Sequence, residues 1–374
     1  MLQISEDSFV KRIRNAKETQ DEVADYVQEI SALFITHKLT SADKFVDVST
    51  PFIRSNIFYH QNLMRYCRFI DEHPNEAELV HDLLCAKSTS YLKEKLRDDQ
   101  NAYIAICKSS IKKYRLNSEV DLLMASHQYI MAMLLESGVD KSVAHVMKEI
   151  VEISKSKEAQ IKEFSKLLDN NGYYDKLNRK FPKLVNLYNE NYMSFIPVLM
   201  TADIDAIDHD EYGLSSVDYE ALLELYSKCY EFIGEFIIYI VGLNNIAQRD
   251  DFNCFTKGNA DIEQKVNQED KYNRIQCFVK LGEKFSGEFA DTLNKVIRNA
   301  DAHFNVEYDI MSQKIRFINK GKRNTEVEEL FLIQLAEETI KVFGLTVRLW
   351  EIAYQLQKNR MICDLKMDWN YGKP

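Results

Sequence analysis

Only five prolines and eleven glycines punctuate these 374 residues. Proline and glycine are the residues that interrupt helices most effectively, whereas Leu, Lys, Glu and Ala, which favour helices, recur throughout the chain. A sequence so short of breakers is expected to fold as a mostly all-α protein. Twenty Tyr and twenty Phe provide bulk for the interfaces between helices. The length suits one large domain or, as expected here, two medium-sized ones, and it allows sizeable cores.

Apolar periodicity places candidate helices over 5–36, 52–70, 75–97, 99–114, 118–136, 140–168 and 182–196. Asn170-Asn171-Gly172 is a helix stop, because Asn and Gly tolerate the left-handed conformation. Residues 197–216 break the pattern: Pro197 opens the stretch, five acids fall between Asp203 and Glu211, and Gly213 with Ser215-Ser216 closes it. The acidic segment 201–215 is therefore expected to link an N-terminal helical domain (1–200) to a second one (216–358), with a tail over 359–374. In the second part a helix is predicted from Val217 to Leu243 with Ser216 as its cap, then a loop over 244–270, then helical periodicity over 271–303. The period next switches to two. Val306, Tyr308 and Ile310 alternate, as do Ile315 and Phe317, which predicts a short β-hairpin before a final helix from Thr325 to Lys358.

A formal net charge of −10 argues against a protein that coats nucleic acid through overall positive charge. Seven cysteines, at 67, 85, 107, 229, 254, 277 and 363, form no C-x-x-C pair, as expected of reduced thiols in the cytoplasm. The most apolar run, Phe232 to Leu243, contains Glu235 and falls well short of the roughly 20 residues a bilayer span needs. The N-terminal sequence lacks a signal-peptide pattern, so neither secretion nor membrane insertion is expected. No G-x-x-x-x-G-K-[ST] and no G-x-S-x-G occurs, which argues against a P-loop or a nucleophile elbow.

The segment that carries chemistry is Arg298 to His303, R-N-A-D-A-H. On a helix, Asn299 and His303 are four residues apart and share a face, while Arg298 lies about 140° round from His303 by the 3.6-residue period. A guanidinium can stabilise charge developing on a phosphodiester, and an imidazole can take a proton from a 2′-hydroxyl or give one to a leaving 5′-oxygen. That route requires no metal or other cofactor.

The segment resembles the Arg–polar–x–x–x–His signature of HEPN domains, a superfamily of α-helical proteins with many ribonucleases. The likeness extends over roughly 216–357. A helix leads into the motif, a hairpin like N-V-E-Y-D-I…K-I-R-F follows, and a long helix closes the segment, as in HEPN proteins of bacterial abortive-infection systems. The resemblance implies metal-independent RNA cleavage by Arg298 and His303, with Asn299 orienting them. It also implies 2′,3′-cyclic phosphate and 5′-hydroxyl ends, and a homodimer whose cleft joins two motifs. A second copy is not complete here: Lys11–Ala16 echoes Lys295–Ala300, but Thr19 stands where the His would be. By the same resemblance the setting is anti-phage defence or a toxin, with a neutralising or activating protein partner. Some members of the superfamily serve as binding modules, so a non-enzymatic HEPN-type module for a partner protein or RNA is the alternative.

Lys314, Arg316, Lys320, Lys322 and Arg323 put five cations and no acid within ten positions next to the motif. They are candidates for holding RNA phosphates or, equally, lysines that keep an edge strand from aggregating. Phe304 and Tyr308 are expected to pack in the core, with stacking on a base as the other reading. A remote reading uses His60, His81, Asp82 and Asp121, whose order is similar to the metal ligands of helical HD-type phosphohydrolases. Leu83-Leu84-Cys85 after the His-Asp pair lacks the small residues that usually follow it.

Overall fold

The structure, a computed structural model, describes residues 35–37, 118–136, 143–199, 209–210, 212–214, 217–268, 292–320 and 325–370, all within one compact unit that spans Ala32–Pro374. Among the described residues ten α-helices dominate: α1 (Glu119–Glu136), α2 (Val143–Ser156), α3 (Glu158–Asn170), α4 (Tyr173–Glu190), α5 (Tyr192–Leu199), α6 (Tyr219–Phe236), α7 (Ile238–Arg249), α8 (Ile262–Gln268), α9 (Lys295–Ala302) and α10 (Leu332–Asn359). The described part is thus mostly helical, as its composition implies. The strands are short: β1 (Ile35–His37) pairs antiparallel with β2 (Tyr212–Leu214), β3 (Cys254–Phe255) with β4 (Gly258–Asn259), and β5 (Val306–Asp309), β6 (Lys314–Lys320) and β7 (Thr325–Phe331) form an antiparallel sheet in that order.

The centre of the molecule is α10. Val342 to Val347 are six consecutive buried residues, and at 100° per residue they cover the whole circumference of the helix. It packs most extensively on α6 and also touches α1 to α5 and α7. Aromatic rings fill these contacts. Tyr188 of α4 lies between Phe195 of α5 (5.0 Å between ring centres) and Phe343 of α10 (4.3 Å), and Phe181 stacks on Trp350 at 4.4 Å. Two threonines on α10 avoid leaving buried hydroxyls idle by donating back to carbonyls one turn earlier, Thr339 to Leu335 at 2.7 Å and Thr346 to Val342 at 3.0 Å.

Helices on both sides of the acidic stretch 201–215 contribute to one continuous core, from Leu122 to Leu356. The expected linker therefore runs between helices that share a core, and its end, Tyr212–Leu214, is a strand. Other boundaries shift for local reasons. The helix predicted over 140–168 is broken at Lys157, where the backbone leaves helical geometry, and the expected loop after Leu243 is helical to Arg249. The Val217–Leu243 helix is divided at Ile237, and its cap is Asp218, whose carboxylate accepts from the Glu220 amide at 2.9 Å, rather than Ser216. Pro197 sits within α5. Ile35–His37, read as the end of a helix, is extended. Thr325–Phe331, read as the first turns of the final helix, is strand β7, so the hairpin becomes a three-stranded sheet. Gly172 does adopt φ 68°, ending α3 as the sequence predicts. No helix of the described residues is long and apolar enough to cross a membrane.

A buried ion-pairing group joins α1 to α10 inside this core. Glu351 on α10 is 0% exposed and receives the Nε2 of His127 from α1, while Gln355 donates to its other oxygen at 2.6 Å. The imidazole is stacked against Tyr354 and Trp350, the latter 4.9 Å away between centres. Burial pushes His127 below its ordinary value of 6.5, against the pull of the Glu351 charge and hydrogen bond, with Lys358 adding to the depression. Burial alone would raise Glu351, but His127, Gln355 and Lys358 together hold it below its ordinary 4.5. At the chain's other end, the Asp121 carboxylate accepts from the Ser118 amide at 3.1 Å and from the Asn370 amide at 2.6 Å, tying the C-terminal segment to the start of α1.

Two tests arise from the packing. A methyl group added to Gly242 on α7 would overlap the ring of Phe164, which is itself 0% exposed and packed against Phe252. Gly242→Ala is therefore expected to cost about 1–3 kcal/mol in urea unfolding, the usual range for overpacking. As pH falls through 6.5 the unfolded chain takes up a proton that folded His127 declines, and below 4.5 the same holds for Glu351. Through both groups the fold loses stability in acid, and the slope fades as pH rises above the ordinary histidine value. The difference in unfolding free energy between pH 7.5 and pH 5 is expected to be smaller in His127→Leu/Glu351→Leu than in the natural chain.

Candidate active site

The motif lies on α9, only eight residues long, too short to be stable without outside support. Its start is fixed by Asn294, whose side-chain oxygen accepts from the Val296 amide at 2.9 Å. The Tyr226 hydroxyl of α6 both accepts from the Asn294 amide (2.9 Å) and donates to its carbonyl (3.3 Å). Val296, Ile297 and Ala300 form the buried face. From the opposite side, Ile315 and Phe317 of β6, both 0% exposed, press the sheet against α9. Further along, Ser227 of α6 donates to Asp301 at 2.5 Å.

Arg298 is half-buried, with its side chain 31% exposed. Its Nε donates to the Glu231 carboxylate of α6 at 2.7 Å, its Nη2 approaches the same oxygen, and its Nη1 donates to the Asn299 side-chain oxygen at 2.9 Å. The guanidinium is thus held from two sides while its fork retains further N–H groups. The sequence reading missed Glu231. It lies 67 positions from Arg298, and only the helix packing brings the two together. Arg298 and Asn299 are joined directly. The exposed His303 makes no hydrogen bond or ion pair to either of them, and stands at the helix end as its C-cap residue.

The two residues after His303 fix its position. The Asn305 amide donates to the Ala300 carbonyl at 2.9 Å and the Phe304 amide to the Asp301 carbonyl at 3.1 Å. These two bonds define a Schellman motif, whose left-handed residue is most often glycine. Here it is Phe304, at φ 53°. That conformation costs an L-residue with a Cβ roughly 1–2 kcal/mol. Packing does not offset the cost, for Phe304 is 96% exposed, against the expectation that it would lie in the core. Tyr308 does pack against the core, its ring tilted 38° to that of Tyr219 and 4.7 Å from it between centres.

The cations next to the motif are less available than their spacing suggests. β7 supplies Glu326, Glu328 and Glu329 beside β6. Lys314 pairs with Glu329 at 2.7 Å, and Arg316 lies between Glu307 (3.3 Å) and Glu329 (3.6 Å) across all three strands. Lys314 by hydrogen bond and charge, with Arg316 assisting, holds Glu329 below the usual carboxylate range. Lys320 is exposed, and Lys322 and Arg323 lie outside the described residues. Lys295, just before the motif, pairs with Glu326 at 2.7 Å.

The remaining sequence candidates are not brought together. Asp121 is buried and both its carboxylate oxygens accept backbone amides; His60, His81 and Asp82 lie outside the described residues. Among the described residues no three His, Cys, Asp or Glu side chains come together in a way that could hold a metal ion. Comparison with protein-family models, curated proteins and solved structures returns no match.

Asn294 is the keystone of this arrangement, since it caps α9 and joins it to α6. Asn294→Ala is expected to lower stability by about 1 kcal/mol, read by chemical unfolding, and to increase amide hydrogen exchange at Val296 and Arg298 more than in α10.

Proposed function

We propose that this chain is a metal-independent endoribonuclease of HEPN type. The observation that carries the reading is the disposition of the motif. Arg298 is braced by Glu231 and Asn299 at the surface, and His303 stands exposed one turn later at the end of the same helix. Neither side chain is consumed by the core, which would have closed this route.

In the proposed reaction the ribose 2′-oxygen attacks the adjacent phosphorus while the bond to the 5′-oxygen breaks. An imidazole takes the 2′-hydroxyl proton, and the departing 5′-oxygen receives a proton in turn. The products are a 2′,3′-cyclic phosphate and a 5′-hydroxyl. The Arg298 guanidinium stabilises the charge that accumulates on the non-bridging oxygens, and Asn299 keeps the fork aimed. A homodimer would supply a second His303, so that one imidazole acts as base and the other as acid. The proposed place of action is the cytoplasm. A nuclease of this kind serves anti-phage defence or acts as a toxin, held by a neutralising or activating protein partner.

A second reading is favoured by one observation. The Arg298 charge is already matched by Glu231, as in a structural ion pair, and a binding module without catalysis would show the same contact. Incubation with mixed RNA in EDTA decides between them. The natural chain is expected to leave 2′,3′-cyclic phosphate ends, and His303→Ala and Arg298→Ala to lower the rate at least 100-fold, in the range of general acid–base and charge-stabilising groups. Intact RNA in every lane from folded protein would leave the module reading.

A further inference from the structure

We propose that Phe304 is a base-stacking platform, the residue that seats a nucleobase of single-stranded RNA beside the scissile phosphate. The inference deepens the ribonuclease reading and rests on it.

Three independent features of one residue lead here. Phe304 occupies the left-handed position of the Schellman motif, where a glycine would be free of strain. Its ring is 96% exposed, the most exposed large apolar side chain among the described residues. It comes directly after His303, so its Cα is about 3.8 Å from that of the proposed acid–base group. The left-handed backbone costs the isolated fold, the unburied ring returns nothing to offset that cost, and strained residues cluster where function requires them. An exposed aromatic side chain directly after the proposed proton-transfer group, just past the end of the helix that carries the guanidinium, suits stacking on a base whose own phosphate the guanidinium holds. Stacking tolerates any base, so this contact would orient the nucleotide without reading its sequence.

A second copy of the chain is the other conceivable occupant, and the surroundings disfavour it. The flanking residues are Ala302, His303 and Asn305. The other exposed apolar side chains of this sheet, Ile310, Met311 and Val327, lie in the far turn of the β5–β6 hairpin and on β7. Among the described residues, one ring flanked by Ala302, His303 and Asn305 is no continuous apolar patch of the size a stable dimer buries. It is sufficient for one base.

Substitution separates these possibilities, because at a left-handed position glycine relieves strain. Phe304→Gly is expected to unfold at a temperature equal to or above that of the natural chain. It should nevertheless bind a fluorescein-labelled, 2′-O-methylated oligouridylate about tenfold or more weakly and cleave its unmethylated counterpart more slowly to a similar degree. Phe304→Tyr and Phe304→Trp should retain both properties, and the fluorescence of Phe304→Trp should be quenched on adding the methylated oligonucleotide. If Phe304→Gly binds and cleaves like the natural chain, the stacking role is overturned while the ribonuclease reading stands. If the natural chain cleaves nothing, the ribonuclease reading falls by itself. The quenching and binding arms then still decide the platform: quenching upholds it, and unchanged fluorescence overturns it. A shift from dimer to monomer in sedimentation, with unchanged oligonucleotide affinity, would identify Phe304 as a subunit contact and overturn the proposal.

Discussion

A helix buried around its whole circumference, as α10 is over Val342–Val347, has to be surrounded, and this requirement organises the core. Twenty-eight residues make a rod about 42 Å long, and helices from both sides of the acidic stretch enclose it. Composition alone implies such a core, with abundant aromatic residues and few helix breakers. Which helices meet is decided by complementary shapes, as where Phe164 occupies the space above Gly242 and Tyr188 is layered between two phenylalanine rings. Glu351 is a carboxylate enclosed in this interior, and it persists because His127 and Gln355 satisfy both of its oxygens.

The candidate site is a dependent structure. α9 contributes three buried side chains of its own and derives the rest of its order from α6 on one side and β6 on the other. Each polar residue of α6 that reaches it acts at a different level: Tyr226 at the cap, Glu231 at the arginine, Ser227 at the last turn. Since α6 is also the most extensive neighbour of α10, the arginine is positioned by an element anchored in the centre of the core. That is how a short helix near the surface can hold a guanidinium in a defined orientation without a binding partner present.

Much of the fold was legible because it is local. The helix stop at Gly172, the alternation in β5 and β6, and the motif itself are all readable from neighbours a few residues apart. What escaped is non-local or competes with local preference. Thr325–Phe331 contains three glutamates and a leucine, good helix formers, and becomes a strand because β6 offers it a ladder of partners. The same pairing brings Glu329 beside Lys314 and Arg316, so a run that reads as purely cationic is largely neutralised in three dimensions. Glu231 gives no sign in the sequence of its relation to Arg298. Phe304 misleads in the opposite direction, since a phenylalanine is ordinarily read as core, and the left-handed backbone that leaves it outside is visible only once the end of α9 is built.

The contact between Asp121 and the Asn370 amide bears on how this chain tolerates alteration of its last residues. A carboxylate with no exposure to solvent relies on every donor it has. Trimming the chain back past Asn370 would strip that anion of one donor and loosen the first turn of a helix some 250 positions earlier in sequence. The backbone at Asn370 thus acts as a clasp on the start of α1.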